Sequence, residues 1–487
     1  MASPFKLVKK VAKEGAKKAA KAVAKTAEPT LEELQRSGHV PTPGGRDTLA
    51  RLASGQGTQG LKSELPLEGG RISQRFPTPS KKTGGWEGKE NPLTENLLIN
   101  TDVMRQDPVK MQQASDIIGR YPTTTNAMLE MQPEERITAF KDAVAANFGA
   151  LYDLMTPEQQ ARASRWYWGA NRISRERAEE IGIHPNASAG MYAALSPQKD
   201  WFQNVYLGDQ VGRILRHDPK VLLDMMRKAQ TLPVYTEDDA SELLRSLEGR
   251  RLSNMTPEEQ ALAVRLHEET YGPIGSNTGE RAYRKISPEG DYGDFVLTKS
   301  GEPRRPAWGS FGEIQKSIEA AQSGGDPNVI SPLMGEKHKV RHFYNDIVNP
   351  GAAETFGDIT VDTHQIGGGL FSPLTGKSEE VAHGLGSSPG KGIPGAPQSA
   401  VTGLQGLYPL YADATRQAAA ERGVPVIAMQ STPWEALRAL FPPEFRTAKN
   451  QEAVANIWRE HAQGTLTAEE ARRRIIGVAG GFNAPSW

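Results

Sequence analysis

Residues 331–347 read SPLMGEKHKVRHFYNDI, and on this stretch the fold turns. Gly335 marks a turn, a helix is expected over about 336–348, and Lys339 stands six residues after Leu333. Two other segments have the look of helix junctions. AALSPQKDWFQNV (193–205) places Leu195-Ser196-Pro197-Gln198 between helical patterns, and DITVDTHQIGGG (358–369) offers a strand end at Val361 with a capping Asp362. Around them helical periodicity dominates from about residue 126, through PEERITAFKDAVAANFGALYDLM, TPEQQARASRWYWGANRI and SRERAEEIGI. TPEQ at 156–159 and TPEE at 256–259 are helix-start signatures, a capping threonine with proline at the first helical position. Further helices are expected over 203–270, 311–322, 408–422 and 433–441, with a helical hairpin over 448–478. The one strand candidate is DFVLT (294–298). The chain is therefore expected to be mostly α, with four parts: a basic amphipathic tail (1–26), a Pro/Gly-rich arm or linker (27–125), a helical domain (126–445) and a C-terminal helical hairpin (446–487).

Composition narrows the function classes. The 487 residues include no cysteine, which excludes disulfide scaffolds, Cys-ligated zinc, iron–sulfur clusters and thiol nucleophiles. No stretch approaches the ~20 apolar residues that span a bilayer. The Lys-rich start lacks the apolar core and cleavage site of a secretory signal. Formal net charge is zero, with 58 basic and 58 acidic side chains, yet residues 1–25 hold eight Lys and a single Glu. Lys9, Lys10, Lys13, Lys17 and Lys18 belong to that run, and Phe5, Val8, Ala12, Ala16, Ala19 and Val23 would line the opposite face of a helix. Such a tail can release counterions from nucleic acid phosphates or adsorb to an anionic membrane surface; a solvated, solubilising terminus is the bland reading. The 49 Gly and 34 Pro concentrate in the arm and in the stretches 271–330 and 365–406.

Taken in order, the three segments resemble the helix-hairpin-helix DNA glycosylase superfamily, the group that contains endonuclease III. That family carries an L-S-x-Q phrase at a helix start, an L-P-G-x-G-x-K hairpin, and a V-D-T-H phrase after the hairpin's second helix. Leu333-Met334-Gly335-Glu336-Lys337-His338-Lys339 has the family's leucine-to-lysine spacing. The resemblance implies that Asp362 stabilises an oxocarbenium-like sugar and that Lys339 is the amine nucleophile of a strand-cutting enzyme. It further implies that Gln198 fills the gap left by an extruded base and that Gly335, Lys337 and Arg341 contact DNA around the hairpin. Lys337 replaces the second hairpin glycine, the link from Lys339 to Asp362 is lengthened by NPGAAETFGD, and Gly367-Gly368-Gly369 is expected to open a loop where the family continues a helix.

Other readings stand beside this one. Asp362 reads equally as a helix cap, and Lys339 as an exposed member of a basic cluster with Lys337, His338, Arg341 and His342. His364 with His383 or His338 would be a metal alternative, although no metal or cofactor is expected. Trp166-Tyr167-Trp168 reads as core with one ring at the surface, or as a base-stacking cluster. Residues 406–442, with Tyr408, Tyr411 and Ala418 at helical spacing, resemble the C-terminal part of uncharacterised tailed-phage proteins; here VPVIAM reads as an extended segment before a helix opened by Thr432-Pro433. Two functions follow. One is a DNA-binding glycosylase or abasic-site lyase; the other is a non-catalytic virion protein that keeps the fold and touches DNA or neighbouring subunits. The expected location is a phage virion or host cytoplasm.

Overall fold

The computed structural model describes residues 70–72 and 108–483, apart from 236–237, 276–279, 336–337, 352–357 and 386–405. All of them belong to one unit, Gly44–Trp487. The basic tail lies outside the described residues.

The chain is mostly helical. Helices α1 (Pro108–Ile118), α2 (Asn126–Leu129), α3 (Pro133–Asp153), α4 (Pro157–Ala163), α5 (Trp166–Ile181), α6 (Pro185–Leu195) and α7 (Trp201–His217) follow in close succession. After α8 (Leu223–Ala229), α9 (Asp238–Ser246) and α10 (Pro257–Tyr271) comes a small antiparallel hairpin, β1 (Arg284–Ile286) and β2 (Tyr292–Phe295). Then follow α11 (Phe311–Ala321), α12 (Pro327–Leu333), α13 (His338–Val348), α14 (Thr363–Gly369) and α15 (Glu379–Leu385). The chain ends with α16 (Tyr408–Arg422), α17 (Val426–Leu440), α18 (Ala448–Ala462) and α19 (Ala468–Val478). No helix among the described residues is long and apolar enough to cross a membrane.

Local chemistry sets several boundaries. Thr156 Oγ1 accepts from Gln159 N at 3.3 Å while Gln159 Oε1 accepts from Thr156 N at 2.9 Å, and Thr256 with Glu259 repeats the exchange. Each pair satisfies two backbone donors that a helix start would leave unmet.

Four expectations change. Among the described residues helix is present from Pro108, ahead of the expected start near 126. The paired strand is Tyr292–Phe295, two residues earlier than read, because Ile286 pairs with Tyr292. Gly367-Gly368-Gly369 continues α14 instead of opening a loop. A Cβ on Gly369 would lie 2.8 Å from Val144 Cγ1, so the glycines let α14 approach α3, and Asn147 donates to Gly369 O at 2.8 Å. VPVIAM is not extended: α17 starts at Val426 and carries Pro433 inside it. Burial on nearly every side makes that segment apolar without period, a pattern a strand shares.

Three apolar cores result among the described residues. The first gathers α5 to α13 with Ile72; the second gathers α1, α3, the segment after 358, α15, α16 and the start of α17. The third joins the ends of α3 and α17 to α18 and α19. Residues 70–72 are embedded among these helices: Tyr344 Oη donates to Gly70 O at 2.7 Å, and Asn345 exchanges hydrogen bonds with the Ile72 backbone at 2.8 and 3.1 Å.

Candidate functional site

Between the first core and the other two lies a cleft of about 1240 Å³. One short extended segment, Asp358-Ile359-Thr360-Val361, runs behind it, buried throughout and in neither strand of the hairpin. A buried backbone must find hydrogen bonds, and here side chains supply them. Gln430 of α17 acts like a facing strand residue: its Oε1 accepts from Thr360 N and its Nε2 donates to Thr360 O, both at 3.2 Å. Tyr408 of α16 donates to Ile359 O at 2.5 Å and accepts from Val361 N at 3.0 Å. His342 of α13 places Nδ1 2.6 Å from Ile359 O, so that nitrogen carries the proton. Thr360 donates to Asp346 at 2.7 Å, and Arg71 from the arm pairs with Asp358. Burial holds the His342 imidazole down at about 4, against the pull of Asp358, and raises the Asp346 carboxyl well above its ordinary range.

The segment delivers Asp362 to the cleft. Its Oδ1 accepts from His364 N at 2.8 Å and Gln365 N at 2.9 Å, capping α14, while Oδ2 lies 3.4 Å from His364 Nδ1. Arg446 Nη1 lies 3.2 Å from His364 Nε2, and because arginine only donates, Nε2 accepts and the proton sits on Nδ1, toward Asp362. Burial would raise the Asp362 carboxyl, but His364, the Gln365 N–H and Lys339 outweigh it and hold the group at about 2. It is a carboxylate at neutral pH.

Lys339 comes from the first turn of α13. The link from α12 bends at Gly335, whose φ of +71° is a left-handed conformation that glycine adopts without strain. The Lys339 ammonium donates to Ser196 O at 3.2 Å and Ser196 Oγ at 3.1 Å, and lies 5.2 Å from the Phe343 ring centre. Burial lowers it to about 8, with Asp362 opposing. Lys339 and Asp362 thus line one cleft.

The remaining expected residues divide. Gln198 is exposed, at φ +57°, in the turn that also gives Ser196 and Lys199 to the cleft wall. Arg341, expected at the DNA surface, lies in the interior. It is fully buried, donating to Ser331 O at 2.8 Å, Ser331 Oγ at 2.6 Å and Gly335 O at 3.1 Å, so its guanidinium ties the hairpin turn to α12. Lys337 and the lysines at 9, 10, 13, 17 and 18 lie outside the described residues. His383 packs against Tyr121, 3.1 Å from its hydroxyl, and among the described residues no three His, Cys, Asp or Glu side chains gather to hold a metal.

Sequence reasoning missed the α17 wall. Trp434 stands edge-on to Trp166, with ring centres 5.4 Å apart, and to His364 at 5.8 Å. The Arg438 guanidinium stacks 4.3 Å from the Trp434 ring and donates to Glu435 at 3.4 Å. Burial raises the Glu435 carboxyl to about 7, with Arg438 and the Trp166 side chain opposing. The signal was present: Trp434, Glu435 and Arg438 share one helix face in a segment otherwise apolar.

Residues 131–255 match a family of unknown function (DUF7178). The matched span contains Ser196 and Gln198 and ends before Lys339 and Asp362. No curated protein and no solved structure matches the chain.

Proposed function

We propose that the cleft takes an extruded nucleotide of DNA and that the chain is a helix-hairpin-helix type DNA glycosylase or abasic-site lyase. The observation that carries this reading is the meeting of a partly desolvated amine, Lys339, and a capped carboxylate, Asp362, in one cleft walled by aromatic rings. With the amine at about 8, about a tenth of Lys339 is neutral and nucleophilic near pH 7. At an abasic sugar the amine adds to the C1′ aldehyde and water leaves, giving a Schiff base. On an intact nucleotide the N–C1′ bond to Lys339 forms as the glycosidic bond breaks, and its electron pair departs with the base, which takes a proton. Asp362 stabilises the positive charge that develops on the sugar. Trp166, Trp434 and Phe202 offer faces for a base, and Arg162, Arg438 and Arg446 offer charge for phosphates.

Borohydride trapping on a duplex with one abasic site tests the reading. Wild type should give a covalent adduct, Lys339→Ala none, and Asp362→Asn much less. An adduct that persists in Lys339→Ala removes that lysine from the chemistry.

A second reading, a non-catalytic DNA-associated virion protein, draws support from the capping of α14. Asp362 would be needed there for the fold alone. That reading expects no adduct, while deletion of residues 1–25 would still flatten the salt dependence of DNA binding.

A further inference from the structure

We propose that Glu435, held on the cleft wall among Trp166, Trp434 and Arg438, reads the hydrogen-bonding edge of the extruded base and selects it by whether it offers an acceptor or a donor. This rests on the reading of the cleft as a nucleotide site. Glu435 is 4% exposed yet lines the cleft, one helical turn before Arg438. The Trp166 and Trp434 rings pack edge to face beside it, at 78° to one another with centres 5.4 Å apart, and all three side chains line the cleft. Its carboxyl accepts from Arg438 at 3.4 Å and from the Trp166 side chain, so about two of its roughly four acceptor positions are used within the fold.

The protonation state decides the selection. Burial brings Glu435 to about 7, so near neutral pH it interconverts between an O–H donor and an anionic acceptor. The charged groups that share the cleft with it are Arg438 on its own helix, Arg162 of α4, Asp362 and His364 at α14, Lys339 of α13, Glu444 and Arg446 beyond α17, Lys199 and Asp200 before α7, and Lys285, Asp291, Asp294 and Arg304 in and around the hairpin. Among the described residues, α3 and α16, which also pack on α17, bring no residue to the cleft. Below this value the O–H donates to an unprotonated ring nitrogen, as at cytosine N3. Above it the carboxylate accepts from a ring N–H, as at uracil N3.

The test uses full-length protein and duplexes with a single bulged cytosine or uracil, with binding measured by fluorescence anisotropy at about pH 6 and about pH 8. The wild-type preference for cytosine over uracil should fall about a hundredfold between them, because the neutral fraction that favours cytosine drops about tenfold while the anionic fraction that favours uracil rises about tenfold. Glu435→Gln, which is close to isosteric and does not titrate, should hold a constant preference. A flat ratio in the wild type, or the same pH shift in Glu435→Gln, overturns the assignment. Because the wild-type series decides alone, a poorly folded variant does not rescue it. Abasic-site trapping on the same preparations separates the two claims: an adduct with a flat ratio sinks only the role of Glu435, whereas no adduct and no binding to either bulge sinks the nucleotide site and this role together.

Discussion

Replacing Arg71 with methionine should destabilise the whole body, although the residue lies 287 positions from its partner in sequence. The Arg71 and Asp358 side chains are 3% and 1% exposed, so neither is solvated. The next basic group, His342, has Nε2 3.7 Å from Asp358 Oδ1 and is held neutral at pH 7 by its burial. Arg71→Met therefore leaves a buried carboxylate without its cation, and breaking a buried pair from one side costs about 3–5 kcal/mol. A surface pair would cost about 0–1 kcal/mol, so the two cases are well separated. If residues 108–483 unfold as a unit, with an entropy of about 2 cal/mol/K per residue, a loss of about 4 kcal/mol lowers Tm by about 5 °C. Calorimetry of the full chain measures this, and Arg71→Met/Asp358→Asn should recover more than half of the loss because the orphaned charge is gone. A single variant within about 1 kcal/mol of wild type would mean that the arm does not anchor there and that the segment behind the cleft is held without it.

Adduct formation should speed up as pH rises, by about tenfold per unit below about 8, and then level off, because burial lowers the Lys339 amine and only its neutral form attacks; a rate flat from about pH 6 to 8 would exclude this amine. Asp362→Ala should lower stability by about 1 kcal/mol through the lost cap of α14, while Asp362→Asn keeps the cap and its stability but loses adduct yield; equal melting of the two variants would show that the cap contributes nothing. Arg341→Met should destabilise by about 2–4 kcal/mol, as three backbone and side-chain acceptors lose their donor, and leave the salt slope of DNA binding unchanged; a shallower slope would return Arg341 to the DNA surface.

What the sequence made legible was what depends on neighbours in the chain. Capping boxes at Thr156 and Thr256 are local exchanges of two hydrogen bonds, and they form where the pattern places them. Lys339 and Asp362 were singled out through the resemblance of their phrases to the helix-hairpin-helix glycosylases, and both line the same cleft. Three features depended on partners far along the chain. Whether Gly367-Gly368-Gly369 bends or coils depends on distant neighbours, most tightly at Gly369, where a Cβ would meet Val144 at 2.8 Å and Tyr411 at 3.0 Å. Arg341 sits in a run of basic residues that looks solvated, and only the fold of α12 over it supplies the carbonyls that let it be buried. Glu435 meets Trp166, which lies about 270 residues earlier in the chain, only once the fold has formed.

The same dependence explains how the cleft is held. Asp358 to Val361 could have been a strand in a sheet, with a ladder of backbone bonds and little need for particular side chains. Instead His342, Asp346, Tyr408, Gln430 and Arg71 hold it, from α13, α16, α17 and the arm. Elements of the first and second cores thus converge on four residues, and the carboxylate at their end cannot move without disturbing several of them. A ladder would fix Asp362 relative to one sheet; this arrangement fixes it relative to both cores, and therefore relative to Lys339 across the cleft. Polar residues that would otherwise be a liability in the interior are thereby placed where they define the distance between an amine and a carboxylate.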